Sequence, residues 1–378
     1  MKQTIIKLVI GIVLIGFFLI GYNFTSIGTI IEAKLYDTRF DIRGSREPSK
    51  DIIILSIDNF SLEDLGTWPW PRSYHGKIVN HLKTYGAKVV AFDVIFNTLS
   101  REPENDKMFA EEIRKSGNVV LGSMLTGAEY SKVSSGSNTT EPSESIALPE
   151  YYEEMLNGKI NYGLANFRRD SDKSVRWGQL IYPLKDTMPT SQSINNEWEP
   201  TFALQVLKQY NSELAKNVQE KYFDKPFLLN FAGPAHTYKT ISYSNVLKRL
   251  PLEADENGRQ KTYQEIFKDK IVLIGATAEI FHDTLSTPFI SGDTAQMPGV
   301  EVHATTLDTI INSLEYHRAS ATTNTILIIF MGLLALVLFT YLNPLLGFGA
   351  MSLLAIVYSG INLFLFLQQK YWLDWAAP

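Results

Sequence analysis

Side chains that could bind a ligand stand directly after apolar runs of the sequence. Asp58 follows a first run and Asp93 follows a second. A late run is followed by Thr277, His282 and Asp283. In open α/β sheets, ligands bind beyond the carboxyl ends of the strands. We therefore expect these side chains to meet in one crevice.

Arg72 and His303 are expected to join that crevice and to decide its chemistry. Two carboxylates and a histidine suit a divalent cation, whereas an arginine pairs with an anionic ligand. The competing interpretation is structural, with Asp58 and Asp93 capping turns or following helices and pairing with Arg72. Acids at strand ends are common for that reason, and the sequence favours this second interpretation.

The segment Gly66–Arg72 reads GTWPWPR and is the most unusual stretch of the chain. Its tryptophans and prolines predict a stiff apolar loop, with Pro71 suited to the first turn of a helix. Trp68 and Trp70 would form the aromatic wall of a ligand pocket. An equally favoured alternative is that both tryptophans only cover the end of the sheet, because burial of tryptophan strongly stabilises a fold.

Composition excludes several kinds of chemistry. The chain of 378 residues has no cysteine, which removes thiolate catalysis and cysteine-ligated zinc or iron–sulfur clusters. The formal net charge is −5, and no basic face of the kind that nucleic-acid binders carry is evident. The phosphate-binding, dinucleotide-binding, zinc-protease and nucleophile-elbow motifs are absent, so neither a cofactor nor a catalytic residue is predicted.

Strand and helix patterns alternate along the body of the chain. Buried strands are predicted at Asp51–Asp58, Lys88–Asp93, Asn118–Gly122 and Lys270–Gly275. Helices are predicted at Arg72–Tyr85, Asn105–Lys115, Pro200–Tyr210 and Pro298–Ser313. Two further strands are predicted at Val175–Tyr182 and Pro226–Phe231. The alternation is typical of α/β proteins, so we expect a mostly parallel sheet in a three-layer domain with right-handed crossovers.

Two membrane spans are predicted near the carboxyl end. The 51 residues at positions 319–369 contain no Asp, Glu, Lys, Arg or His. Because about 20 apolar residues cross a bilayer, this stretch is long enough for two spans. Asn343-Pro344 provides the turn between a span at residues 325–342 and another at residues 345–367.

A third span is predicted at residues 5–24, followed by a stalk helix over Ile31–Phe40. A cleaved signal peptide is the alternative, but no A-x-A-like cleavage site follows the apolar run. Lys2 lies before the span and Lys7 can snorkel from its first turn, and no acid accompanies them, so that end should stay in the cytoplasm.

The body at residues 28–318 is then an extracytoplasmic domain, and it is acidic. Two trailing spans would leave the last residues outside as well, where Tyr371, Trp372 and Trp375 form an aromatic cluster typical of a membrane interface. One more apolar stretch would be needed to reach the cytoplasm. We therefore expect that Pro378 is not the end of the natural protein and that the chain is its front part.

A series of short motifs is found in a specific order along the chain. They are Leu35-Tyr36-Asp37-Thr38-Arg39-Phe40, Ile57-Asp58 with Ser61-Leu62, Trp68-Pro69-Trp70-Pro71-Arg72, Gly86-Ala87, Phe92-Asp93-Val94-Ile95-Phe96, Val272-Leu273-Ile274-Gly275-Ala276-Thr277, Asp283 with Thr287-Pro288, and Pro298-Gly299-Val300-Glu301-Val302-His303-Ala304. Together they resemble the second family of CHASE domains, the extracellular sensory modules of bacterial cyclases and histidine kinases. The resemblance covers Glu32 to Ser313 and the trailing membrane hairpin.

The resemblance implies an extracytoplasmic sensor in a multi-pass protein of the bacterial cytoplasmic membrane, placed ahead of a cytoplasmic effector. Effectors in similar proteins are adenylate or guanylate cyclases, diguanylate cyclases, histidine kinases or serine/threonine kinases. This chain departs from the pattern, since it has two trailing spans where three would be needed and contains no effector domain. No general ligand follows from the resemblance.

We expect a membrane-anchored, non-enzymatic sensor that binds a small ligand and acts as a homodimer. The candidate ligand-binding residues are Asp58, Trp68, Trp70, Arg72, Asp93, Thr277, Asp283 and His303. One alternative is an extracytoplasmic metal-dependent hydrolase that uses Asp58, Asp93, His282 and Asp283. Another is an assembly protein that uses the acidic body as a docking surface. The weight for the sensor comes mostly from the resemblance.

Overall fold

A computed structural model describes residues 9–17, 21, 26–125, 145–146, 161–183, 198–223, 225–289 and 296–375. Contacts divide the described chain into two compact units. The larger unit runs from Arg46 to Thr287 and resumes up to Leu314. The smaller unit contains the described residues up to Ser45, then Pro288–Phe289, then the chain from Glu315 onward.

The larger unit is a mixed α/β domain built on one main sheet. Six of its strands are parallel, in the order β10 (Thr240–Ser242), β1 (Ile52–Ile57), β11 (Ile271–Ala276), β2 (Val89–Ile95), β3 (Val119–Leu125) and β5 (Tyr162–Leu164). A seventh strand, β4 (Ser145–Ile146), pairs antiparallel with β3. The predicted α/β class and the four main predicted strands agree with this sheet. The strands β5 and β10 are only three residues long, and the sequence did not indicate them.

Helices cover both faces of this sheet. In chain order the helices of the larger unit are α2 (Asn59–Leu65), α3 (Arg72–Thr84), α4 (Pro103–Ser116), α5 (Phe202–Tyr210), α6 (Ser212–Lys221), α7 (Tyr243–Lys248), α8 (Tyr263–Phe267) and α9 (Gly299–Ile311). Ile53, Leu55 and Ile57 of β1 point into a core completed by α3, α4, α7 and α8. On the other face, α5 and α9 pack on the strands. The helices predicted at Arg72, Asn105, Pro200 and Pro298 correspond to α3, α4, α5 and α9.

Short strands form small pairs beside the main sheet. Four of them pair antiparallel, β6 (Trp177–Gly178) with β9 (Phe227–Leu228) and β7 (Ile181–Pro183) with β8 (Trp198–Pro200). The predicted strand at Val175–Tyr182 is therefore two short strands, because a break separates Gly178 from Ile181. A last antiparallel pair joins β12 (Thr284–Ser286) to β13 (Gln296–Pro298) just before α9.

The smaller unit contains α1 (Ser26–Arg43), β14 (His317–Arg318), α10 (Ala321–Tyr341), α11 (Pro344–Gln369) and β15 (Tyr371–Trp372). Within the described residues, α10 and α11 are the two helices that are long and apolar enough to cross a membrane. Asn343 accepts a hydrogen bond from the Leu346 backbone N–H at 2.9 Å and Pro344 occupies the first turn, which explains the predicted break between them. The predicted stalk lies within α1.

Half of the predicted span at residues 5–24 lies outside the described residues. Residues 9–17 and residue 21 are helical, and their exposed side chains are apolar. That stretch is too short to qualify as a membrane-crossing helix by itself, so the structure gives no support to a span there.

Candidate ligand-binding site

A cavity of about 500 Å³ opens at the carboxyl ends of the parallel strands in the larger unit. Its volume lies within the range of small-molecule sites. The residues that line it are Ile57, Trp68, Asp93, Val94, Ile95, Met124, Ala165, Asn166, Phe167, Arg169, Ala276, Phe281, Asp283 and Leu285. Three of the sequence-predicted candidates, Trp68, Asp93 and Asp283, are among them.

The strand register brings the lining residues together at the carboxyl ends of the strands. Ile57 pairs with Ala276 at the end of β1 and β11, and Gly275 pairs with Asp93 across β11 and β2. Between Phe92 and Ile95 the register of β2 against β3 shifts by a bulge. Bulges beside binding sites redirect side chains, and this one lies at Asp93.

Asp93 is a buried carboxylate, since its side chain is 10% exposed. No hydrogen bond to that carboxylate is found from any residue in the described part of the chain. Burial raises the pKa of Asp93 well above its usual range, and the negative charge of Asp283 raises it further. The cavity wall therefore contains an acid whose ionisation the protein itself does little to stabilise.

Asp283 lies at the amino end of α9. The backbone N–H of Gly299 donates to the Asp283 carbonyl oxygen at 3.1 Å. A Cβ atom at Gly299 would stand 2.9 Å from Asp283 Oδ1, so only glycine admits the carboxylate there without a shift. Asp283 is exposed to solvent and lines the cavity. The protein atoms around it raise its pKa, and the positive charge of Arg169 opposes that change.

His303 lies behind Asp93, with Nε2 3.7 Å from Asp93 Oδ1. Its ring packs against Phe167 and Phe202, at centroid distances of 4.3 and 4.9 Å. Burial lowers the pKa of His303 to about 3, and the Ala165 backbone opposes part of that change. The imidazole is therefore neutral near neutral pH, and it does not balance the charge of Asp93.

Trp68 and Trp70 have different surroundings. Trp68 lines the cavity and meets Phe281 edge-on at a centroid distance of 5.5 Å. Trp70 is buried, lies beside Tyr243 with ring centres 4.9 Å apart, and donates its Nε1–H to the Gly66 carbonyl at 2.9 Å. One tryptophan therefore belongs to the wall of the cavity and the other to the core, which divides the two roles that the sequence left open.

Arg72 and Asp58 are used for packing and capping. The Arg72 guanidinium lies 4.5 Å from the Phe96 ring centre, 3.9 Å from Asp106 Oδ1, and donates to the Thr98 carbonyl. Asp58 caps α2 and accepts the Ser61 backbone N–H at 2.8 Å. This agrees with the structural interpretation of Asp58, except that Arg72 pairs with Asp106 and not with Asp58 or Asp93.

Thr277 and His282 lie near the cavity without lining it. The Thr277 hydroxyl bonds to Ser56, and its backbone N–H donates to Ile57 at 3.1 Å. His282 ends a short helical turn and is exposed. Within the ranges that the structure describes, no group of three or more His, Asp or Glu side chains is arranged to hold a metal ion. The metal-dependent hydrolase therefore gains no support.

The sequence did not indicate one side of the cavity. Asn166, Phe167 and Arg169 follow β5, a strand of three residues that forms only because β3 offers it an edge. Such a strand has no apolar run that periodicity detects. The adjacent basic residues Arg168 and Arg169 are a visible sign in the sequence that this loop carries charge.

Comparison with known proteins agrees with this picture. The model of one protein family, the CHASE2 domain, matches residues 9–340. No curated protein and no solved structure matches the chain significantly. The family match spans most of the sequence and includes every strand of the main sheet. The chain therefore belongs to the CHASE2 domain family.

Proposed function

We propose that the chain is the sensory part of a transmembrane receptor and that its larger unit binds a small ligand in the cavity. CHASE2 is a family of sensory domains. The observation that carries the proposal is the cavity of about 500 Å³ at the carboxyl edge of the sheet, with Asp93 buried in its wall. A buried polar group without a protein partner is costly, and a ligand that supplies the partner removes that cost.

In this proposal Trp68, Asp93 and Asp283 contact the ligand, and His303 supports Asp93 from behind. The roles of Asp58, Trp70, Arg72 and Thr277 are to hold the surrounding loops, because each is already engaged by neighbouring protein groups. Ligand binding would favour one of two arrangements of the domain, and only a difference in affinity between them can shift their populations.

The proposed topology has a span at residues 5–24 and two spans at α10 and α11 in the bacterial cytoplasmic membrane, with the larger unit outside. The length and apolar composition of α10 and α11 support the trailing pair. The output would be a cyclase or kinase domain in the cytoplasm, as in the proteins that the family resemblance names. A homodimer would bring two such domains together.

Contacts within the smaller unit support a route to the membrane helices. Arg39 of α1 donates to the Leu373 carbonyl at 2.9 Å, beyond the end of α11. Glu32 of α1 accepts from Trp372 Nε1–H at 2.8 Å and from the Trp375 backbone N–H at 2.7 Å. A movement of α1 would therefore be passed to the end of α11.

The ligand site is tested with the full chain in lipid nanodiscs and a chemically diverse set of small metabolites. The cavity is filled by Ala276→Phe, and the matched control is Ala254→Phe on an exposed hairpin. We expect some compounds to raise the unfolding temperature of the wild type and of the control, but not of the filled variant. Equal responses in all three proteins, or no response in any, would reject the proposal.

The homodimer is tested by using the absence of cysteine. Ile42 of α1 is 52% exposed, so Ile42→Cys introduces a single accessible thiol into a cysteine-free chain. Oxidation in the membrane should yield a disulfide-linked dimer. The control is Glu213→Cys, an exposed position on α6 of the larger unit. Equal cross-linking at both positions would indicate random collision, and absence of a dimer would argue against a close pairing of α1.

A further inference from the structure

The lining of the cavity contains more acidic than basic side chains. Asp93 and Asp283 both line it, and Arg169 is the one Lys or Arg among the lining residues that the structure describes. The neighbouring His303 is neutral because burial lowers its pKa to about 3. With both carboxyl groups ionised, the lining has a net charge of −1.

The positive charge of Arg169 acts on Asp283, one of the two acids. It opposes the rise that burial causes in the pKa of Asp283, whereas the pKa of Asp93 is raised by burial and by the charge of Asp283, with no cation among the described residues opposing that rise. Asp93 is nine-tenths buried and faces the cavity without a hydrogen-bond donor from the described protein. A cation or a strong hydrogen-bond donor inside the cavity would supply a partner for this carboxyl group.

The remainder of the wall is apolar and aromatic. Trp68 and Phe281 stand edge to face with ring centres 5.5 Å apart, and Phe167 lies on the side of His303. Aromatic faces attract ammonium groups and also bury apolar ligand surface. A metal ion would instead need several oxygen ligands in a shell, and the described residues form no such group.

We propose that the cavity binds an organic cation, namely a protonated amine carried on an apolar or aromatic body. The ammonium group pairs with Asp93 and Asp283, and the apolar body packs against Trp68, Phe167 and Phe281. The proposal rests on the proposed sensory function, because it names the class of ligand for the same cavity. An anion of the same size is disfavoured, since it would approach two carboxylates to reach one arginine.

The experiment uses three probes of similar shape and different charge. Phenethylamine is cationic, phenethyl alcohol is neutral and hydrocinnamate is anionic. Binding to the full chain in nanodiscs is measured by calorimetry near neutral pH. We expect the amine to bind at least about tenfold more tightly than the alcohol, because a charged hydrogen bond contributes at least that factor. Hydrocinnamate should bind more weakly than either.

Two variants and one control locate the charge preference. Asp93→Asn and Asp283→Asn keep the shape of the side chains, and each should lower the affinity for phenethylamine about tenfold while that for phenethyl alcohol changes little. Asp269→Asn is the matched control, because Asp269 is exposed just before β11, at the opposite edge of the sheet. The unfolding temperature of each variant shows that it is folded before binding is measured.

The outcomes separate the class of ligand from the sensory function. If phenethyl alcohol or hydrocinnamate binds as tightly as the amine, and Ala276→Phe abolishes that binding, the cavity is a ligand site but not one for cations. If magnesium ion binds and Asp93→Asn abolishes it while phenethylamine does not bind, the acids form a metal site. If no probe binds while metabolites still act through the cavity, the amine proposal alone is rejected.

Discussion

Arg39 and Glu32 form an ion pair of 3.0 Å in which neither side chain is exposed to solvent. The two residues are seven positions apart, two turns along α1. Each also bonds to the segment after α11, Arg39 through the Leu373 carbonyl and Glu32 through Trp372 and Trp375. The pair thus holds α1 and the end of the hairpin together inside the smaller unit.

Replacing one partner of the Glu32–Arg39 ion pair should lower the stability of the smaller unit. Glu32→Gln leaves the Arg39 charge buried without its counterion, and we expect the smaller unit to lose about 3–5 kcal/mol of stability. Replacing both partners, as in Glu32→Gln with Arg39→Met, should recover part of that loss. Thermal unfolding in nanodiscs measures both. The control is Glu104→Gln, which breaks an exposed pair with Lys107 and should change little. An equal effect of both single variants would contradict a special role for the buried pair.

The cavity acids should make stability depend on pH in a defined direction. The pKa values of Asp93 and Asp283 are raised in the folded state, so the fold favours their protonated forms. Their contribution is therefore most favourable below the pKa of the unfolded chain, about 3.9, and is lost as the pH rises through the raised folded pKa. Asp93→Asn, which cannot ionise, should become more stable relative to the wild type as the pH rises.

Two buried histidines make stability depend on pH in the opposite direction. The pH dependence of Asp93→Asn must therefore be compared with that of the wild type, because the wild type alone reports the sum of both effects. The pKa values of His75 and His303 fall to about 3 on burial, and stability from these groups is lost as the pH falls from about 6.5. Denaturant unfolding across the acidic and neutral range, with Asp269→Asn as control, measures the difference. A constant difference between Asp93→Asn and the wild type would contradict the raised pKa.

Gly299 should matter for ligand binding more than for stability. In Gly299→Ala the new methyl group meets Asp283 Oδ1 at 2.9 Å, and the carboxylate must move. Because a side-chain end moves easily and alanine favours the helix by up to about 1 kcal/mol, stability should change little. Affinity for phenethylamine should fall, as calorimetry will show. Gly349→Ala, whose methyl group meets nothing within 4 Å, should change neither property.

Asp58 provides a test of capping against binding. Asp58→Ala removes the acceptor for the Ser61 backbone N–H and should lower stability by about 0.5–2 kcal/mol, whereas Asp58→Asn keeps an acceptor and should cost less. Neither variant should alter the affinity for phenethylamine. If either variant binds phenethylamine more weakly at unchanged stability, Asp58 contacts the ligand and its role is not capping alone.

Membrane topology is accessible to single-cysteine labelling. In intact cells a membrane-impermeant maleimide should react with Glu213→Cys on the larger unit. It should react with Lys2→Cys and with Leu345→Cys, at the turn between α10 and α11, only after permeabilisation. The reason is that basic residues before a first span keep that end in the cytoplasm. Labelling of Lys2→Cys in intact cells would overturn the proposed orientation.

Buried central strands were predictable from sequence because their side chains face helices on both sides. The continuous runs of β1, β2 and β11 follow from that burial, and so does the position of Asp93 at the sheet edge. The end of β11 likewise directs attention to Asp283, although its role depends on Gly299, which is distant in sequence. The strands and the position of Asp93 are local consequences of these continuous apolar runs.

Features set by partners elsewhere in the fold were not predictable. The strand β5 and the cavity residues after it depend on the free edge of β3. Trp70 belongs to the core and Trp68 to the cavity wall. This difference depends on Tyr243, which is far along the chain and packs beside Trp70. Arg72 likewise turns toward Asp106 and the Phe96 ring. Spacing along the sequence contains no information on these contacts.

The pairing of β14 with β15 has a mechanical consequence. His317 N–H donates to Lys370 and Ala319 N–H donates to Trp372, both at 2.8 Å, so the chain entering α10 is joined to the chain leaving α11. A slide of one helix past the other by a single turn, about 5.4 Å, would break both hydrogen bonds. These two hydrogen bonds therefore oppose sliding of α10 along α11.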